Sequence, residues 1–352
     1  MSSFSTAALI GIFAAAVVVT WIAGIGLSRS TDAIDRRYGL GEALGGVILL
    51  AIAGSLPELA ITVTAAANGN LGLAAGNLIG GIAIQTMVIV LCDAAASRTQ
   101  ALTFLVGSLV PVLEGLLVVA VVAEVMMGAL LPQHVSVGPV SPVSIAIVVT
   151  WLAGVVVLNG VRRGSPWQCV MPRSRPGRPH RRILSPNEKP NRASESAKAA
   201  IAIFTVASAV TLGAGVLLEF AGNTLADRAN INGVIFGATV LAFATALPEI
   251  SSGIAAVRLG DHQLAVADIF GGNAFQVALF LVADLVAGTP VLPSSGDLNA
   301  WLAGLGIVLT TVYCGGVIVR RESCVLRLGL DSMIVIAIFV LGIVGLVAVS
   351  NG

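Results

Sequence analysis

Apolar runs of bilayer-crossing length recur along the whole chain, separated by short polar or glycine-rich breaks. A helix needs about 20 apolar residues to cross the hydrocarbon core, and the runs are expected to be helices of that kind. Ten spans are predicted, roughly at 4–27, 43–66, 71–92, 101–123, 142–160, 199–219, 233–257, 263–286, 299–319 and 331–350. The first is too long for the apolar core of a signal peptide and has no basic residue before it, so it is read as a span. Between the fifth and sixth spans the pattern stops. Residues 161–198 are polar and rich in Pro and Arg, with the run PRSRPGRPHRR at 172–182, the composition of a flexible linker. The expected organisation is a five-helix half over 1–160, a basic linker over 161–198 and a second five-helix half over 199–352.

The halves are related. At a constant offset of 191 residues, Gly46, Ala51, Leu56, Pro57, Glu58, Ala65, Leu73, Ala74, Gly80, Gly81, Ala83 and Gln85 recur as Gly237, Ala242, Leu247, Pro248, Glu249, Ala256, Leu264, Ala265, Gly271, Gly272, Ala274 and Gln276. The repeated segments are about 43–92 and 233–286. Five spans separate equivalent positions, and five is odd, so equivalent helices cross in opposite directions. The fold expected is an all-α polytopic membrane protein built from two inverted-topology five-helix repeats, a plan common among secondary transporters.

Composition agrees: 57% of the residues are hydrophobic, only 11% are charged, and mean hydropathy is +0.97. The net charge of +1 says little, whereas its distribution orients the chain. Ten of the nineteen basic residues lie between Val161 and Lys198. With that connection in the cytoplasm, Arg29, Arg36, Arg37, Arg98, Arg258, Arg320, Arg321 and Arg327 also fall inside, and only Arg228 falls outside. Both termini are then extracytoplasmic. The basic linker reads first as a topology anchor, with attraction to anionic lipid headgroups as a second role; a basic run alone gives no support for nucleic-acid binding. Cys92, Cys169, Cys314 and Cys324 form no extracytoplasmic pair and no metal-knuckle spacing, and His134, His180 and His262 all lie in connections.

The chemistry lies in the repeats. An ionisable side chain in hydrocarbon is costly and persists mainly where it faces a protein-lined cavity. Glu58 and Glu249 each end a Leu-Pro-Glu tripeptide within an apolar run. Pro57 and Pro248 remove a helical donor and leave carbonyls one turn earlier without partners. Ser55 and Thr245 add hydroxyls about one turn before the glutamates, and Gln85 and Gln276 follow each glutamate by 27 residues. Carboxylates, hydroxyls, amide oxygens and freed carbonyls are the ligands of hard cations such as Ca²⁺ and Na⁺. The competing reading is a pair of kinked helices with protonated, hydrogen-bonded glutamates; the twofold repetition favours a shared ion site. Gly54, Gly80, Gly81, Gly271 and Gly272 are expected to permit close packing and to clear space beside it. Asp268, equivalent to Asn77, is a further candidate for a buried carboxylate, with capping or interhelical bonding as the alternative reading. Asp93 and Asp284 match at the far ends of their spans, where carboxylates are usually solvated, and are left out of the site. Glu114, after Pro111, has Leu305 as its counterpart, and its role is open between proton linkage and structure.

The segments AGSLPELAITVTAAANGNLGLAAGNLIGG and ATALPEISSGIAAVRLGDHQLAVADIFGG resemble the two α-repeats of the sodium/calcium exchanger family, prokaryotic type, within the cation/Ca²⁺ antiporter superfamily. The resemblance implies alternating binding of Ca²⁺ and Na⁺ by the two glutamates with nearby hydroxyl and amide groups, and movement of spans one and six against a core of spans two, three, seven and eight. Glu58, Glu249, Ser55 and Thr245 match the family pattern. Gly54, Ala246, Gly81 and Gly272 stand where it has hydroxyl residues, and Gln85 and Gln276 where it has Asn or Asp.

The reading is a bacterial inner-membrane antiporter, not an enzyme, that exchanges Ca²⁺ for Na⁺ or H⁺ by alternating access, with inorganic cations and the lipid bilayer as partners and no cofactor. One rival is a proton-coupled exchanger on the same fold. Another is a degenerate scaffold or sensor, motivated by the missing hydroxyls. An intramembrane hydrolase ranks last, because no Ser-His pair, paired aspartate motif or zinc-type cluster is present.

Overall fold

The computed structural model describes residues 4–38, 52–164 and 197–350. The 165–196 part of the expected linker and the first part of the second expected span lie outside the described residues.

Long helices account for almost all of it. In chain order they are α1 (Thr6–Tyr38), α2 (Leu56–Ala67), α3 (Leu71–Ala96), α4 (Val110–Ala129), α5 (Pro142–Gly164) and α6 (Ala197–Ala229). The second half continues with α7 (Gly233–Thr245), α8 (Leu247–Arg258), α9 (His262–Ala287), α10 (Gly296–Val319) and α11 (Leu330–Ser350). Eight of these helices are long and apolar enough to cross a membrane, and α7 with α8 forms a ninth, bent by 45° at its break. The protein is thus a multi-pass, mainly helical membrane protein. Between α10 and α11 a two-residue hairpin pairs Cys324–Val325 with Leu328–Gly329.

Helix bounds repeat the sequence offset. Adding 191 to the bounds of α1, α2 and α3 gives those of α6, α8 and α9. The first and sixth spans run longer than expected from hydropathy. At 33 residues each, α1 and α6 reach about 50 Å at 1.5 Å per residue, beyond an apolar core of about 30 Å. Their polar final turns remain helical because the two helices pair along their length. Arg228 at the end of α6 donates to Thr6 Oγ1 (2.9 Å) and to the Phe4 carbonyl (2.7 Å), so the one basic residue expected outside the cytoplasm binds the start of α1.

The core lies around α3, whose apolar residues are covered on nearly every side, as expected for the hub of a bundle rather than a lipid-facing helix. Its glycines admit the backbone of α7. A side chain at Gly80 would collide with Ala238, and one at Gly76 with the backbone of Val234. Helix α7 answers with a π-helical turn at Gly237–Leu241, an irregularity that marks functional sites in many helices.

Asp93 and Asp284 depart from expectation. They are buried rather than solvated, at 1% and 0% exposure. Asp93 accepts from Leu102 N, Gly329 N and Ser332 Oγ (2.7, 2.7 and 2.6 Å). Asp284 accepts from Val291 N, Ser141 N and Ser144 Oγ (2.7, 2.9 and 2.7 Å). Each satisfies the loop that follows its own helix and caps the first turn of the last helix of the opposite half. Orphan donors at those helix starts would otherwise be buried.

Candidate functional site

Both Leu-Pro-Glu segments start a helix in mid-span. Proline lacks an N–H and suits the first turn, where that donor is not required. Glu58 and Glu249 therefore lie in the first turns of α2 and α8, where the positive end of the helix dipole faces their carboxylates. Placing half-helix ends at the midplane is how broken-helix transporters build ion sites. Crossing helices hold each break. A side chain at Gly24 in α1 would lie 2.5 Å from Pro248 Cγ, and one at Gly215 in α6 would lie 2.5 Å from Ala60 Cβ and 3.1 Å from the Pro57 carbonyl. The two contacts are equivalent under the offset of 191. Trp21 Nε1 also donates to Ser251 Oγ (2.6 Å), which fixes α1 on α8.

A cavity of about 330 Å³ is lined by residues of α1–α6, α8 and α9. Of the residues expected to form the site, Ser55, Gln85 and Glu249 line it, as do Gly54, Pro57, Pro248, Gly271 and Gly272. Two further carboxylates, Glu114 and Asp268, also line it. Glu58 lies behind Gln85, fully buried, and accepts from Gln85 Nε2 at 3.4 Å. Its other oxygen, and one oxygen of Glu249, are buried without a hydrogen-bond partner. The two carboxylates are close enough for their charges to interact, and Asp268 lies within the same range of Glu249. Ser252 Oγ bonds Asp268 at 3.4 Å.

Thr245 and Gln276 do not line the cavity. The Thr245 hydroxyl donates to the Ala242 carbonyl (3.2 Å) and faces Glu58. Gln276 Nε2 donates to the carbonyls of Asn77 (3.3 Å) and Leu78 (3.0 Å) on α3, and its oxygen is buried without a partner. Gly81 and Gly80 likewise lie outside the lining. Gly81 makes room for the Gln276 amide, and Gly272 stands opposite Gln85 Oε1, 3.8 Å from where its Cβ would be. Each repeat thus sets its second glycine against the glutamine of the other, tightly on one side and loosely on the side of the cavity.

Sequence reasoning missed the contribution of the crossing helices. Ser28 and Thr31 of α1, Thr211 of α6 and Ser252 of α8 also line the cavity. Extending the offset into α1 and α6 would have flagged Thr211, which pairs with Thr20. No group of three or more His, Cys, Asp or Glu that could hold a metal ion is present among the described residues. The cavity offers an approach to the two glutamates, Glu249 on its wall and Glu58 buried behind Gln85, with mixed carboxylate, amide and hydroxyl oxygens.

A sequence model of the family described as sodium/calcium exchanger protein matches residues 8–160 and 199–351, both halves without the linker. Inner membrane protein YrbG of Escherichia coli is 35% identical over 75 residues, 21% of this chain and 21% of its own length, so the matched stretch spans about a fifth of that relative. The crystal structure of the H⁺/Ca²⁺ exchanger CAX superposes with a TM-score of 0.69 at 13% identity, covering 96% of this chain and 82% of that one. The sodium–calcium exchanger NCX_Mj gives 0.58 at 14% identity, covering 97% and 99%. At these identities the two structures show a common fold.

Proposed function

The chain belongs to the sodium/calcium exchanger family, and from that footing we propose that it exchanges Ca²⁺ for Na⁺ or H⁺ across the bacterial inner membrane by alternating access. The observation that carries this reading is the pair Glu58 and Glu249. They come from symmetry-related helix breaks, and each keeps a buried oxygen without a partner beside a cavity. Two carboxylates neutralise one Ca²⁺, and Gln85, Ser55 and Ser252 add neutral oxygens at the cavity. The family and fold are those of exchangers rather than enzymes. The location follows the name of the Escherichia coli relative.

One observation favours H⁺ as the coupling ion. The positions that carry hydroxyls in the family pattern are Gly54, Ala246, Gly81 and Gly272, and the room at Gly81 is taken by Gln276. Neutral oxygens are therefore few, while Glu114 and Asp268 bring the carboxylates near the cavity to four with Glu58 and Glu249. Na⁺ has to be wrapped in several neutral oxygens, whereas a proton needs one carboxylate.

Ca²⁺ uptake into proteoliposomes, driven in turn by a Na⁺ gradient and by a pH gradient, tests both readings. Uptake is expected to require a gradient and to fall by at least about tenfold, some 1.4 kcal/mol, in Glu58→Gln and in Glu249→Gln. Full uptake by both variants would remove the glutamates from the site. Uptake driven by Na⁺ but not by pH would remove the proton.

A further inference from the structure

The loop between α10 and α11 has a counterpart in the other half, the loop between α4 and α5, and the two differ where the fold does not require it. Gly329 N and Ser332 Oγ donate to Asp93 Oδ2 as Ser141 N and Ser144 Oγ donate to Asp284 Oδ2. Directly before each capped residue the chain makes a two-residue hairpin turn. Val137 pairs with Val140 across Gly138-Pro139, and Val325 pairs with Leu328 across Leu326-Arg327. Glycine in the first central place, here with φ +64°, is an ordinary choice for such a turn. Leu326 and Arg327 both adopt positive φ, 55° and 69°, a conformation that side chains of their size rarely enter. Of the four non-glycine residues with positive φ among the described residues, three belong to this loop: Arg320, Leu326 and Arg327. Strained residues of this kind cluster where a contact, rather than the local fold, selects the side chain. That contact is not the protein interior, because Leu326 is 88% exposed, Val325 is 59% exposed and Arg327 is exposed as well.

We propose that this hairpin is a docking site for anionic phospholipid, with Val325 and Leu326 set into the interfacial layer of the bilayer and Arg98, Arg321 and Arg327 on lipid phosphates. The loop joins two membrane-spanning helices, so it lies at the bilayer surface, and the placement of basic residues puts it on the cytoplasmic side. Anionic lipids of that leaflet attract basic segments, and an apolar tip beside arginines suits the boundary between headgroups and acyl chains. The counterpart loop, residues 130–141, is expected on the other face and has no Lys or Arg. The hairpin is also held firmly. Gln100 bridges to Ser323, Ala101 N donates to the Glu322 carbonyl (3.3 Å) and Gln100 Nε2 donates to Glu322 Oε1 (3.0 Å). These bonds bring the turn that carries Arg98 beside the hairpin. They also engage Glu322, while Asp331 bonds Thr103, so the acidic residues of the segment have partners within the protein. Arg320 turns to the Phe104 carbonyl (3.0 Å) and ring (5.3 Å), whereas Arg98, Arg321 and Arg327 are exposed. The chain's own linker is a poor occupant, because it holds ten of the nineteen basic residues and would be repelled. Through Asp93 the docked hairpin would brace the end of α3, the helix that carries Gln85.

The test uses the full chain in liposomes of phosphatidylcholine and phosphatidylglycerol, with one or the other lipid brominated so that it quenches tryptophan on contact. Leu326→Trp keeps a large apolar tip, and its emission is read as the difference from wild type. That emission is expected to be quenched by brominated phosphatidylglycerol and distinctly less by brominated phosphatidylcholine. Equal quenching by both would remove the arginines from the role. Quenching by aqueous iodide on both sides of the membrane, with neither lipid effective, would leave the hairpin in water, open to a soluble partner, and would overturn the proposal. In parallel, Leu326→Asn/Arg327→Gly supplies the pair that such a turn favours, so the hairpin keeps its shape without its docking residues. Wild type in nanodiscs is expected to melt higher with phosphatidylglycerol than with phosphatidylcholine alone. The double variant is expected to lose much of that shift while melting no lower than wild type in phosphatidylcholine. An undiminished shift would place the anionic lipid elsewhere on the chain and sink the proposal. Neither readout needs transport, so a wild type that exchanges no Ca²⁺ would count against the exchange reading and leave the hairpin's role to these two measurements.

Discussion

A methyl group at Gly81 would fall on the carboxamide of Gln276, whereas one at Gly271 would meet no atom within 4 Å. Gly81 is the second glycine of one Gly-Gly pair and Gly271 the first of the other, and one is a packing position while the other is a cavity wall. Gly81→Ala is therefore expected to destabilise the protein by about 1–3 kcal/mol, the usual cost of overpacking, unless Gln276 swings off the α3 carbonyls. Gly271→Ala is expected to leave stability nearly unchanged and to lower transport by narrowing the cavity. Thermal unfolding in detergent beside vesicle uptake separates the two, and equal melting losses would contradict the assignment. The sequence repeat was enough to find the Gly-Gly pairs, the glutamates and the glutamines. It could not distribute them, because an inverted repeat gives equivalent residues the same letters while one conformation gives them different surroundings. Gln85 faces the cavity and Gln276 does not, although their sequence contexts match.

Hydropathy located the helices but could not place their polar ends. Helices α1 and α6 continue past the apolar runs because each supports the other, a tertiary effect invisible in a sliding window. The π-helical turn of α7 follows from close backbone approach at Gly76 and Gly80, which again needs the partner helix. Asp93 and Asp284 were legible as a symmetric pair, but not as buried caps, since their donors lie in the opposite half. Losing one carboxylate would strand backbone and hydroxyl donors at the start of α5 or α11. With each buried unsatisfied donor costing about 1–3 kcal/mol, Asp284→Ala is expected to lower stability by about 3 kcal/mol or more, and Asp93→Ala similarly. Asp297→Ala, at an exposed first-turn position of α10, should change it by no more than about 0.5 kcal/mol. Chemical denaturation in detergent measures all three. A loss at Asp284 no larger than at Asp297 would mean that the caps are replaceable by water.

For the molecule as a whole, the odd number of spans per repeat and the placement of basic residues lead to one orientation. The linker holds ten of the nineteen basic residues, and translocating such a segment is disfavoured under the positive-inside rule. The structure adds that four residues lining the cavity, Ser28 and Thr31 late in α1, Asn159 late in α5 and Leu264 early in α9, lie at helix ends expected to face the cytoplasm. In that orientation the cavity is expected to open inward, so that a cation entering from within meets three carboxylates, Glu249, Glu114 and Asp268. A phosphatase active only outside the cytoplasm, fused after Gly352, is expected to be active; the same enzyme inserted between residues 165 and 196 is expected to be silent. The reverse pattern would falsify the orientation and exchange the two sides. It would leave the fold and the glutamate pair untouched, since neither depends on which face is cytoplasmic.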